Sequence, residues 1–70
     1  MNLRDAQEGK EYVIKNIDID DEELIAFLFS LGCYVGEKIA VIAHRKSGCT
    51  VSIKDARYSI DIPLAKAIII

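Results

Sequence analysis

The 70-residue sequence is poor in several residue types that define common protein classes. It has no Trp, one Pro, one His, two Cys and four Gly. With 51% hydrophobic residues and so little Pro and Gly, a disordered or low-complexity segment is excluded, because such segments lack the apolar surface that offsets chain entropy. The longest uninterrupted apolar run is six residues, 24–29, whereas a membrane-spanning helix needs ~20.

An excess of basic residues is also missing. Nine Lys and Arg stand against eleven Asp and Glu, for a net charge of −2. Nucleic-acid binders of this size carry a basic excess, since phosphate contacts supply most of their non-specific affinity. A small nucleic-acid-binding barrel is therefore a disfavoured alternative. The N-terminal residues show no cationic stretch leading into an apolar one, so we expect no export signal and a cytoplasmic location without membrane insertion.

The few candidate ligands and nucleophiles are widely spaced. Cys33 and Cys49 are sixteen positions apart, which fits neither a disulfide scaffold nor a CxxC zinc knuckle. Together with His44 they form the only set that suggests a ferrous-iron or zinc sensor, which we keep as an alternative, but free cysteines are commonly small buried hydrophobes. We see no nucleophile–base pair and no phosphate-binding glycine loop, so neither an enzyme nor a bound cofactor is predicted.

The chain begins with a β-rich stretch and one helix. Tyr12 and Ile14 share one face of the stretch 11–17, whereas Ile17 falls on the other, which indicates a bulge near residues 15–16. Asp20 is predicted to cap a helix, and the carboxylates that follow favour its positive end without the spacing of a calcium loop. The predicted helix has an inward apolar stripe and a terminating glycine: Leu24, Leu28, Leu31 and Gly32.

The second half of the chain alternates in the manner of short strands. The predicted elements are strands 38–44, 50–54 and 57–62, a short helical element 63–66 and a final strand 67–70 that pairs with the first. The fold class predicted for this single domain, residues 1–70, is mainly β: a small barrel of about five strands with one helix between the first two. The apolar C-terminus at Ile70 invites self-association through a sheet edge.

An ordered set of residues spans nearly the whole sequence and resembles one known family. Its centre is a Leu-x-x-Leu-Gly-x-x-x-Gly pattern followed by an apolar strand, with a preceding strand and a closing Ala-x-x-Ile-x-Ile segment. The residues that carry the pattern are Leu28, Leu31, Gly32, Gly36, Ile39, Val41 and Ile42, with Gly9, Tyr12, Ile14 and Ile17 upstream and Ala65, Ile68 and Ile70 downstream. This arrangement resembles the FeoA family of ferrous-iron transport proteins. The sequence departs from the usual pattern at Phe27, Val35 and Ala56, where Arg, Pro and Gly are common.

The resemblance implies an SH3-like barrel that is not an enzyme. It also implies a cytoplasmic accessory or regulatory module in ferrous iron uptake, whose partner is the cytoplasmic domain of a FeoB-type GTPase transporter.

Residues at the end of the predicted helix and in the loop after it are the candidate partner-binding site. Phe29 lies ~140° around the helix from Leu24 at 100° per residue, so we expect it to stay partly exposed. Exposed aromatic side chains grouped with apolar neighbours often mark a partner site. The predicted partner-binding residues are Ile25, Phe29, Cys33, Tyr34 and Val35.

Overall fold

A computed structural model describes residues 1–70 and contains six strands and two α-helices. In chain order the elements are a 3₁₀ turn Leu3–Asp5, β1 Glu11–Val13, β2 Asn16–Ile17, α1 Glu22–Leu31, β3 Lys38–Arg45, β4 Gly48–Ile53, β5 Ala56–Asp61, α2 Ile62–Ala67 and β6 Ile68–Ile69. Neither helix is long and apolar enough to cross a bilayer.

The strands form two antiparallel sheets. The larger sheet has the order β1-β3-β4-β5, and the smaller one pairs β2 with β6. The mainly β fold predicted from the sequence and the SH3-like fold implied by the family resemblance are confirmed, but the sheet is open and not a closed barrel. Strands β1 and β5 remain at the two edges of the larger sheet without pairing to each other.

The stretch 11–17 is two strands because the chain changes sheets in its middle. At that point the Ile14 N–H donates to the Glu37 carbonyl oxygen (2.9 Å), and the Lys15 N–H donates to that of Ile69 (2.7 Å). The face change at 15–16, read from the sequence as a bulge, is therefore the passage from β1 to β2. The final strand does pair with the first stretch, as predicted, through β2.

Strands β3, β4 and β5 form a meander of two hairpins. The β3–β4 register shifts between Val41 and Ala43, leaving Ile42 on the outside. The β4–β5 turn consists of Lys54 and Asp55, which both have positive φ (48° and 68°), as a type I′ turn requires. A glycine would therefore relieve the turn at these positions and not at Ala56, where the family pattern suggested it.

Helix α1 begins one residue later than predicted. Its N-cap is Asp21, not Asp20: the Asp21 carboxylate accepts from the Glu23 N–H (3.0 Å) and the Leu24 N–H (3.3 Å). Both aspartates are capping residues by type, and only the backbone direction decides between them. The helix ends as predicted, at Gly32 in the left-handed region (φ 95°, ψ 14°).

The hydrophobic core lies between the two sheets, α2 and the N-terminal turn. Leu28 is the only residue of α1 that is fully buried, whereas Leu24 and Leu31 pack against the core from its edge. The buried core cluster consists of Leu3, Ala6, Ile14, Leu28, Cys33, Ile39, Val41, Cys49, Val51, Ile53, Ile60, Leu64, Ala65, Ile68 and Ile70.

The C-terminal strand is paired on both sides. On one side it meets β2, and on the other the Ile70 N–H donates to the Met1 carbonyl oxygen (2.9 Å) beside a bridge between Asn2 and Ile69. Ile70 is 7% exposed. The expectation that β6 offers a bare edge is wrong, because the N-terminal residues cover it.

Candidate partner-docking surface

The turn that follows α1 has the backbone hydrogen bonds of a Schellman motif. The Gly32 N–H donates to the Phe29 carbonyl oxygen and the Cys33 N–H to that of Leu28, both at 3.0 Å. These bonds satisfy carbonyl groups that a helix end would otherwise leave unpaired. The direction in which the chain leaves the helix is thus set by backbone geometry alone.

The motif places Cys33 inside the protein. The residue after the left-handed glycine commonly packs back on the last turn of the helix, and Cys33 is 0% exposed in the same core cluster as Leu28. Burial raises the pKa of its thiol to about 11. The prediction that Cys33 contacts a partner directly is therefore wrong. The position of this residue, directly after a helix-terminating glycine, was the sequence signal for its burial.

The rest of the loop is held to the sheet by two backbone bonds. The Gly36 N–H donates to the Ile14 carbonyl oxygen (2.8 Å), and the Glu37 carbonyl oxygen accepts from the Ile14 N–H (2.9 Å). Gly36 has a φ of 94°, which side chains other than glycine rarely tolerate. Because the loop is anchored at both ends, Tyr34 and Val35 are presented on a rigid turn.

We use the name aromatic corner for four accessible or half-buried apolar side chains of α1 and the loop after it: Ile25, Phe29, Tyr34 and Val35. The rings of Phe29 and Tyr34 have centroids 5.3 Å apart at an interplanar angle of 40°, within the range of favourable aromatic pairs. Phe29 is 45% exposed, Tyr34 43% and Val35 64%, whereas Ile25 is half-buried. The sequence prediction that Phe29 stays partly exposed is confirmed, and Tyr34 is equally accessible.

Phe27 is also 44% exposed, but two positions along a helix turn a side chain by ~200°, so it lies on the opposite side of α1 from Phe29. One neighbour of the aromatic corner was not predicted. The Lys54 ammonium lies 5.8 Å from the centroid of the Tyr34 ring and 3.5 Å from a carboxylate oxygen of Glu37. Lys54 comes from the β4–β5 turn, twenty positions further along the chain, so no local sequence pattern connects it to Tyr34.

A shallow depression of about 430 Å³ lies on the sheet next to this corner. Its charged walls include two ion pairs, Glu37 with Lys54 (3.5 Å) and Glu11 with Lys38 (3.9 Å). These pairs neutralise each other, Asp55 adds one further carboxylate, and polar and apolar surface are mixed in the lining, so the depression does not favour one class of small ligand.

The candidate metal ligands do not come together. No three His, Cys, Asp or Glu side chains are grouped so that they could hold an ion. The His44 ring nitrogen Nε2 is 2.7 Å from the Ala6 carbonyl oxygen. Burial raises the pKa of Cys49, opposed by the nearby charge of Arg4, and the thiols of Cys33 and Cys49 are both free and buried. The alternative of a sensor built from Cys33, Cys49 and His44 is therefore not supported by the geometry.

Comparison with known families agrees with this architecture. The family model of the FeoA domain matches residues 1–70, so the chain belongs to the FeoA family. This family consists of small accessory domains and is not a known enzyme family, and membership implies a role in ferrous iron transport.

Solved structures with the same fold are related only distantly in sequence. An iron uptake regulatory protein, FeoA, is 23% identical with a TM-score of 0.86, over 97% of this chain and 91% of the other. FeoA of Stenotrophomonas maltophilia, in complex with zinc, is 20% identical with a TM-score of 0.84, over 99% and 87%. A manganese-dependent transcriptional repressor is 24% identical with a TM-score of 0.87, but this chain spans only 39% of it. No curated protein matches the sequence.

Proposed function

We propose that this protein is a non-enzymatic, cytoplasmic accessory module of ferrous iron uptake, and that it docks on the cytoplasmic domain of a FeoB-type transporter through the aromatic corner. The observation that carries the proposal is the pair of rings, Phe29 and Tyr34, each nearly half exposed on a rigid turn. Membership of the FeoA family supports the iron-transport context.

The corner has the features of a binding hot spot. Aromatic residues are over-represented among the few side chains that supply most of the binding energy of an interface. Covering the part of such a side chain that is still exposed, a little under half, contributes ~1 kcal/mol through apolar burial. The backbone that carries Tyr34 is anchored by hydrogen bonds at both ends of its loop, so little ordering is required on binding, which favours affinity.

The surroundings of the corner indicate what kind of surface it fits. Helix α1 has no basic residue, and the exposed carboxylates in its first turn and just before it form no ion pair within the protein: Asp18, Asp20, Asp21, Glu22 and Glu23. An apolar surface on the transporter with basic residues on one flank would complement both parts of α1. Binding should then weaken moderately as salt concentration rises.

Binding of the purified cytoplasmic domain of the transporter, measured by isothermal titration calorimetry, tests the proposal. We expect Phe29→Asp and Tyr34→Asp each to weaken binding at least about tenfold, because each places a charge in an interface that must be dry. Ser47→Asp, in the exposed β3–β4 turn, is the control with the same added charge and should bind like the parent protein.

Far-ultraviolet circular dichroism and thermal unfolding of each variant separate loss of binding from loss of fold. The proposal is wrong if Phe29→Asp and Tyr34→Asp remain folded and bind as tightly as Ser47→Asp. Absence of binding by the parent protein itself, at concentrations up to ~1 mM, would also overturn it.

A further inference from the structure

Strand β5 is the long uncovered edge of this molecule. It lies at the end of the larger sheet, next to β4 only, and runs over six residues, Ala56–Asp61. Its alternate residues Arg57, Ser59 and Asp61 are exposed. An uncovered strand edge of this length offers a row of unpaired backbone groups to another strand.

The β4–β5 turn determines which backbone groups of β5 are unpaired. A two-residue type I′ turn makes its flanking residues, here Ile53 and Ala56, a hydrogen-bonded pair. Antiparallel pairs then alternate between bonded and non-bonded, so the N–H and C=O groups of every second β5 residue point away from β4. Those residues are Arg57, Ser59 and Asp61.

We propose that β5 pairs with β5 of a second copy of this chain, antiparallel, around a twofold axis at Ser59. In this register Ser59 lies opposite Ser59 of the second copy, and Arg57 lies opposite Asp61. Both backbone groups of Arg57 and Ser59 and the N–H of Asp61 point outward, whereas the Asp61 carbonyl oxygen, at the N-cap of α2, accepts the first bond of that helix. The two strands would therefore form four backbone hydrogen bonds and join two four-stranded sheets into one of eight strands.

The side-chain charges favour this register. Neither Arg57 nor Asp61 takes part in an ion pair within the protein, and the pairing would bring the guanidinium of each copy against the carboxylate of the other. One oxygen of Asp61, Oδ1, already accepts from the Leu64 N–H (3.0 Å), which leaves the second oxygen for Arg57. Opposite charges directly across a sheet are favourable, and like charges are not.

Neighbouring registers are each worse. A shift by two residues in one direction places Asp61 opposite Asp55, and a shift in the other direction places Arg57 opposite Pro63, which has no N–H to donate. A shift by one residue would place the free N–H and C=O groups of one strand opposite residues whose N–H and C=O groups point toward β4, so the bonds could not form. The sequence of the edge is therefore self-complementary in one register only.

The pairing should stop at a dimer. The other edge of the larger sheet, β1, is only three residues long, and β6 is covered on both sides. A twofold contact uses the same strand of both copies and leaves nothing equivalent for a third. Because an interface of one strand pair is small, below the ~1,000 Å² typical of stable complexes, we expect a dissociation constant of about 10–100 µM.

Sedimentation equilibrium of the full chain from about 5 µM to about 500 µM tests the dimer. We expect Ser59→Pro to weaken dimerisation at least tenfold, because it removes an outward N–H at an edge position that tolerates proline in the monomer. Arg57→Asp should weaken it similarly by placing two carboxylates together. Lys46→Asp, with the same charge change in the β3–β4 turn, should dimerise like the parent.

Charge exchange provides the sharpest version of the test. Arg57→Asp and Asp61→Arg should each be monomeric alone, whereas an equimolar mixture should form a heterodimer, because each aspartate then faces an arginine. Monomer throughout the concentration range, or dimers unaffected by Ser59→Pro, would overturn the proposal. If Asp61→Arg fails to fold for want of its cap on α2, Ser59→Pro and Arg57→Asp still decide. The aromatic corner shares no residue with β5, so the test of dimerisation is independent of the test of transporter docking.

Discussion

The β3–β5 meander and the aromatic corner are stabilised in opposite ways. In the meander, strand pairing is nearly continuous and inward side chains such as Val41, Val51 and Ile60 fill the core. At the corner, backbone hydrogen bonds fix the turn while Phe29 and Tyr34 remain outside. The core side chains of the meander therefore stabilise the fold. The corner is kept rigid by backbone hydrogen bonds, and its two aromatic side chains contribute little to stability.

The largest loss of stability in the meander is expected from a substitution at Gly48, the first residue of β4. A Cβ there would clash with the backbone carbonyl oxygen of Ile60 and lie 2.8 Å from the Cα of Asp61, and neither atom belongs to a flexible side chain. We expect Gly48→Ala to lower the free energy of unfolding by more than about 3 kcal/mol, measured by urea denaturation.

Gly9→Ala is the control for the Gly48 substitution. Gly9 also has positive φ (82°), but an added Cβ would meet nothing within 4 Å, so the cost should be only the ~1 kcal/mol of the backbone conformation. Equal losses for Gly9→Ala and Gly48→Ala would show that crowding between β4 and β5 is not the cause.

Alkaline pH should lower the free energy of unfolding through Cys33, the buried residue that follows α1. Burial raises the pKa of the Cys33 thiol from 9.0 to about 11, so the unfolded chain releases this proton first. Below pH 9 the thiol is neutral in both states, so the free energy of unfolding does not depend on it. Between pH 9 and 11 only the unfolded chain loses the proton, and the free energy of unfolding falls by at most about 1.4 kcal/mol per pH unit. Urea denaturation across this range should show a smaller decline for Cys33→Ala. If both proteins decline alike, Cys33 is not the titrating group.

The β4–β5 turn offers a way to strengthen the meander. Asp55 has a φ of 68°, which costs energy for any residue except glycine. Asp55→Gly should therefore raise the free energy of unfolding by about 0.5–1 kcal/mol, visible as a higher melting temperature. Ala56→Gly should not stabilise, since Ala56 is outside the positive-φ region; a gain there equal to that of Asp55→Gly would contradict the type I′ assignment.

The smallest effect on stability is expected at the corner itself. Phe29→Ser removes a half-exposed ring whose partner is Tyr34, so the free energy of unfolding should fall by only about 0.5 kcal/mol. Leu28→Ala, the adjacent buried position, should cost about 2–5 kcal/mol. A loss at Phe29 as large as that at Leu28 would mean that the ring serves the fold and is not held available for a partner.

Much of the fold was accessible from the sequence because local patterns control it. The end of α1 at Gly32, the strand periodicity and the pairing of the last strand with the first region were all predicted and confirmed. Two features were not predicted: Asp21 caps the helix in place of Asp20, and residues 11–17 form two strands. Both depend on how distant segments of the chain pair with or pack against these residues. The exposure of Phe29 was predictable from helical geometry, but the burial of Cys33 was missed.

By itself, the sequence determined the strand-and-turn pattern, the apolar excess over what so small a core can hold, and the family. Tertiary structure alone decided that the sheet stays open, that the N-terminal residues cover β6, that Lys54 reaches Tyr34, and that β5 is left as an edge. Periodicity acts between neighbours in the chain and therefore fixes which face of a segment is apolar. Which segments meet, and which edges remain free, depends on contacts between residues far apart in sequence, and only the folded chain brings these together.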